Sequence, residues 1–112
     1  MKIKIVLLTI IALYYSLPTY ASAYFGKIKV HCNTEIGHCN VNIIGTASNV
    51  PSCASNPAWY VFDMNSPIWK EQFSIALTAQ ISGKNINLGG TGLCNQRPGI
   101  HEDIGTITLE DN

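Results

Sequence analysis

The chain has 112 residues, with seven basic residues, seven acidic residues and only 12% of positions charged. A neutral, charge-poor chain lacks the basic surface that nucleic-acid phosphates demand, and it has no cationic patch for an anionic membrane. Its four cysteines, with no C-x-x-C spacing, argue against a thiol oxidoreductase and leave cross-linking as their use.

The first element is a leader. Lys2 and Lys4 precede an uncharged apolar run from Ile5 to Leu17, then Pro18, then Ala21-Ser22-Ala23. Basic start, short apolar core and small-residue cleavage site are the order of a secretory signal peptide. The run is shorter than the roughly 20 residues that span a bilayer. The expectation is a signal peptide over 1–23, cut after Ala23, and one small domain over 24–112. The mature chain would then have 89 residues (112 less 23). It would be secreted or periplasmic, in an oxidising compartment. Lys2 and Lys4 leave with the leader, so five basic residues face seven acids and the mature net charge is −2.

Next come two alternating runs. Ile28, Val30 and Cys32 alternate with Lys29 and His31, and Cys39, Val41 and Ile43 alternate with Asn40 and Asn42. Each has the period of a half-buried strand. A turn at 33–37, closed by Gly37, folds them into a hairpin. If Cys32 faces Cys39, then Val30 faces Val41 and Ile28 faces Ile43, all on one side. A slip of one residue would send half of that set to solvent.

This register also bears on the "HCNTEIGHCN" stretch, where two His-Cys pairs resemble metal ligands. Zinc needs its ligands to converge. Alternation turns His31 away from the cysteine face and leaves His38 at the turn. The expected outcome is a Cys32–Cys39 disulfide and no metal. Of the three pairings that four cysteines allow, this one leaves Cys53 with Cys94.

Residues 45–58 are rich in turn formers and read as a long ordered loop. "WYVF", 59–62, is a short strand in which Trp59 and Tyr60 point to opposite faces, one to the core and one available as an aromatic platform. Ser66 and Pro67 suit the start of a helix running to about Ser82. Trp69, Phe73, Ala76 and Leu77 form its core stripe, Ile68, Ile75 and Ala79 widen it toward enclosure, and Gly83 ends it. Ile86 and Leu88 alternate in a further strand, which bends or bulges at Gly89, Gly90 and Gly92. Ile107 and Leu109 share a face of the last strand. The fold expected is β-rich with one helix: a small, partly open five-stranded barrel of OB type, or a flat α+β sandwich.

Catalytic patterns are sparse. There is no G-x-S-x-G elbow, and "GGTG" lacks the lysine and helix of a phosphate loop. His101, Glu102 and Asp103 are adjacent, but neighbours along a strand point apart, so they read as a polar loop entering the last strand. No pair of carboxylates is marked for glycoside hydrolysis. The ligand-binding candidates are Trp59 and Tyr60, with amides from Asn56 and Asn95 flanking the second bridge.

Cys53 in a turn-rich loop, the Trp69-x-x-x-Phe73 helix start and the strand "SGKNINL" carry a resemblance, together with Trp59, Val61, Phe62, Asp63, Gly83, Lys84, Ile86, Gly90, Thr91, Gly92 and Cys94. Over roughly residues 26 to 109 the chain resembles the receptor-binding B subunits of the subtilase-cytotoxin type, within the pertussis-like toxin group. It is also similar to a class of small bacterial secreted proteins with the pattern W-V-F-D … GK-x-I … G-T-G-x-C, for which the pattern implies no function. The toxin resemblance implies an OB-type fold, a ring of five copies and glycan binding without catalysis. The helix is about one turn shorter than in those subunits and the cysteines are placed differently. No sugar-contacting residue of those subunits is carried over to a position here.

The function expected is therefore that of a non-catalytic secreted binding module for a glycan, needing no cofactor. The alternative is a periplasmic inhibitor or immunity-type protein that binds another protein, and the third is a small secreted enzyme. A homo-oligomer is compatible with the first two.

Overall fold

The computed structural model describes residues 21–110. The expected leader lies outside them except for its last three residues. The elements are β1 (Ala23–Gly26), β2 (Ile28–Asn33), β3 (His38–Ile43), β4 (Trp59–Val61), α1 (Trp69–Ser82), β5 (Ile86–Gly90) and β6 (Glu102–Leu109). The six strands form one mixed sheet in the order β1-β5-β6-β4-β3-β2. All neighbours are antiparallel except β4 and β6.

The hairpin takes the register its apolar residues demand. Ile28 faces Ile43, Val30 faces Val41 and Cys32 faces Cys39. Where five strands were expected there are six, because β1 precedes the expected run and is set off from β2 at Gly26 and Lys27. Gly26 has φ +151°, a conformation that side-chain-bearing residues rarely adopt. The strand on its two sides therefore pairs at opposite ends of the sheet order, β1 with β5 and β2 with β3.

The core gathers one face of the sheet under the helix. Tyr24, Ile28, Val41, Ile43, Tyr60, Phe62, Ala76, Ala79, Ile86, Leu88, Ile104 and Ile107 are buried together. The strand after the helix bulges between Gly89 and Gly90, within the expected glycine run.

The helix departs from the expected reading in three ways. It begins at Trp69 rather than Pro67, and Ile68, not Ser66, is its N-cap, without a side-chain bond. Its deeply buried positions are Gln72, Ala76 and Ala79. Leu77 is exposed, and Ile81 is 84% exposed, so the helix is not enclosed. The physical reason is the pair of small residues. Ala76 and Ala79 let the backbone approach the sheet, and Gln72 follows them inward because its Nε2 donates to Gly105 O at 3.1 Å. Gly83 ends the helix at φ +69°, as the sequence implies. On the other side Gln80 Oε1 accepts from the backbone N–H of Val30 at 2.6 Å, so the helix covers part of the β2 edge.

Both bridges are formed, Cys32 with Cys39 and Cys53 with Cys94, and no cysteine among the described residues is free. Two disulfides in so small a domain are the mark of an oxidising, extracytoplasmic compartment. Among the described residues no helix is long and apolar enough to cross a membrane.

Candidate functional site

Alternation along three adjacent strands builds one outer face. His31 faces Asn40, Asn40 faces Val61, and Asn42 faces Trp59. Side chains at these rungs project from the side opposite the Val30–Val41 core row. Trp59 is half-buried, and His31 meets it edge to face with ring centroids 5.7 Å apart. The contact fixes the indole's orientation. Asn42 Nδ2 donates to Ala58 O at 3.0 Å and holds the chain entering β4.

Asn40 lies in this row with only 5% of its surface exposed, and its Oδ1 has no hydrogen-bond donor among the described residues. A buried acceptor without a donor costs roughly 1–3 kcal/mol. The oxygen is shielded from solvent, so an ordered water enclosed with it would be the donor that satisfies it.

The long loop is anchored beside this face. Trp59 N–H donates to Asn56 O (3.4 Å), and Asn56 N–H donates to Ile100 O (3.0 Å). Cys53–Cys94 ties the loop to the segment before β6. There the carboxylate of Asp103 accepts from Asn95 N–H and Gln96 N–H, both at 3.1 Å. Asn56 and Asn95 therefore have their backbones fixed and their residues exposed. Of the four expected ligand-binding residues, Trp59, Asn56 and Asn95 sit at the surface. Tyr60 does not: it is 1% exposed, with its hydroxyl bonded to Ser22. The aromatic pair divides as alternation requires, and Tyr60 is the core member.

The expected polar loop at 101–103 is instead buried: His101 directly precedes β6, and Glu102 and Asp103 begin it. His101, Glu102 and Asp103 are all below a tenth exposed. Burial pushes the His101 imidazole below its ordinary pKa of 6.5, opposed by its bond to Asn56 O and assisted by the charge of Arg97. Glu102 and Asp103 do point apart. Asp103 serves the 95–96 loop, and Glu102 turns toward Ser22 and Tyr60. Oε2 of Glu102 accepts from Gly92 N–H at 2.7 Å and from Ser22 N–H at 3.3 Å, while Oε1 accepts from the Ser22 hydroxyl. That hydroxyl has one proton, given to the carboxylate, so Tyr60 donates to Ser22 Oγ. Burial pushes the Tyr60 phenol above its ordinary pKa of 10.0, opposed by the Ser22 bond and assisted by the Glu102 charge.

Neither His-Cys pair forms a ligand set. The thiols are consumed in a disulfide, His31 rests on Trp59, and His38 Nδ1 lies 2.7 Å from Ile36 O. Among the described residues no group of three His, Cys, Asp or Glu side chains could hold a metal ion.

Two grooves lie away from this face. One, of about 430 Å³, runs between β1 and β5 and is lined by Phe25, Ser48, Asn87 and Thr106 among others. A second, of about 370 Å³, lies between the helix and β6 and includes Ile68, Ile75 and Ile107. Neither contains Trp59, whose indole stands on a sheet face. The sequence reading missed Asn40, Glu102 and Ser22. Alternation with Val41 put Asn40 on the solvent side, the leader pattern took Ser22 as part of the cleavage site, and adjacency put Glu102 in a polar loop. No family model, curated protein or solved structure matches the chain.

Proposed function

We propose that the protein is an exported, non-catalytic binding module that takes a neutral glycan on the Trp59 face. The observation that carries the reading is the half-buried Trp59 indole on the face opposite the core row, in edge-to-face contact with His31. An indole face packs against the apolar side of a sugar ring, and hydroxyls at the ring's rim bond to exposed amides. The low charge of the chain suits an uncharged ligand. Asn56 and Asn95, on loops pinned by Cys53–Cys94, extend the set of amides at the surface.

The fold reading that goes with it is an OB-type barrel. Its support is the single residue, Lys27, separating β1 and β2, which pair at opposite ends of the sheet order. One kinked first strand thus touches both edges, and counted as one it makes five strands. The resemblance to toxin B subunits goes with this order and implies a ring of copies. A protein partner is the second reading. It is favoured by Leu77 and Ile81, one helical turn apart and exposed, with Ile68 exposed at the start of the same helix.

A glycan array probed with the mature chain, alongside light scattering, separates the two. Binding to a discrete set of neutral glycans supports the first reading. A silent array from a clean monomer contradicts it and turns attention to protein capture through the helix.

A further inference from the structure

Glu102 is 2% exposed, and among the described residues no cation pairs with it. Its donors are two backbone N–H groups and one hydroxyl, and two of these three belong to Ser22. Burying a carboxylate costs several kcal/mol unless a positive charge or a full set of hydrogen bonds compensates. Ser22 is itself 2% exposed, and its carbonyl accepts from Gly90 N–H at 2.9 Å. Ala23 follows with a reciprocal pair of bonds to Ser48, at 3.0 and 2.9 Å, and pairs with Gly89 in β1. Ala21, in contrast, is exposed and outside any strand. The boundary between leader and folded domain thus falls between Ala21 and Ser22.

The cut after Ala23 expected from the Ala21-Ser22-Ala23 pattern would remove Ser22. It would strip Oε1 of Glu102, the Tyr60 hydroxyl and Gly90 N–H of their partners. We infer that the leader is removed after Ala21, and that the new α-ammonium of Ser22 forms an ion pair with buried Glu102. Thr19-Tyr20-Ala21 offers small residues at the two positions a leader peptidase reads. In the step, a leader peptidase adds water across the Ala21–Ser22 amide. The C–N bond breaks, the hydroxyl goes to the Ala21 carbonyl carbon, and the Ser22 nitrogen keeps its electron pair and is protonated at neutral pH. That nitrogen already stands 3.3 Å from Oε2 of Glu102, inside ion-pair distance. The charge that completes the buried cluster is made only by export, so the full stability of the domain arises after the leader is gone.

The test begins with the chain expressed with its own leader and recovered from the periplasm. Intact mass and N-terminal sequencing are expected to give Ser22 as first residue, and Tyr24 or any other first residue overturns the assignment. The ion pair is read separately, by NMR titration of the isotopically dimethylated α-amino group in chains beginning at Ser22. Its midpoint is expected about one unit or more above the ordinary value of roughly 7.7–8. A midpoint at the ordinary value overturns the pair. A chain with one glycine added before Ser22 keeps every side chain and displaces the ammonium. It is expected to melt about 5 °C lower, and equal melting counts against the pair.

Discussion

Gly90 lies directly beneath the carboxyl of Glu102, so close that a Cβ on Gly90 would overlap both carboxyl oxygens. The glycine run after β5 is therefore a matter of space as well as of bending. It lets β5 bulge while the first residue of β6 inserts its carboxyl between Gly92 N–H and Ser22.

Gly90→Ala is expected to destabilise the domain by about 2 kcal/mol or more, the cost of forcing a group into a packed site and displacing a bonded carboxyl. Gly83→Ala meets no neighbouring atom and carries only the strain of φ +69°, about 1 kcal/mol. Urea denaturation of the two variants checks the order. A Gly90→Ala loss no larger than that of Gly83→Ala contradicts the packing account.

The two disulfides differ in the loops they close, with sequence separations of 7 and 41. On the chain-entropy view, losing Cys32–Cys39 costs about 2.5 kcal/mol and losing Cys53–Cys94 about 4 kcal/mol. The double variants Cys32→Ala/Cys39→Ala and Cys53→Ala/Cys94→Ala, compared by denaturant melts, are expected to rank in that order. Equal losses would contradict it.

His101 sets an acid limit. Its pKa is lowered on folding, so the unfolded chain binds its proton first as pH falls below 6.5. The stability it contributes is complete above that pH and is lost as pH falls through the folded value. The melting temperature of wild type is expected to drop on acidification from pH 7 to 5 more steeply than that of His101→Gln. Parallel profiles would show that other groups set the limit.

The hairpin was legible because its information is local. Val30, Val41 and the cysteines share a period of two, and a single register satisfies them all. Gly26 was not legible as a break, because within "YFGKIKV" nothing marks which residue must leave the strand geometry. The helix face was misread because apolar volume favoured Trp69, Phe73 and Leu77. Close approach through Ala76 and Ala79, and the reach of Gln72 to Gly105, decided it. Glu102 was missed for a reason of range. Its partner Ser22 is 80 residues away, and no local pattern records that a carboxyl in "IHEDIG" will be buried. At the candidate site, alternation separated Trp59 from Tyr60, but which of the two is buried depended on the helix side of the sheet.

The central claim is that Trp59 is the platform for a neutral glycan. Its most direct test is the affinity of wild type and Trp59→Ala for the best-bound neutral glycan, with Trp69→Phe as a control on the helix. The prediction is a loss of about tenfold or more for Trp59→Ala, near 1.4 kcal/mol, with wild-type affinity in the control. Undiminished binding by Trp59→Ala, or no neutral glycan bound by wild type, would contradict the claim.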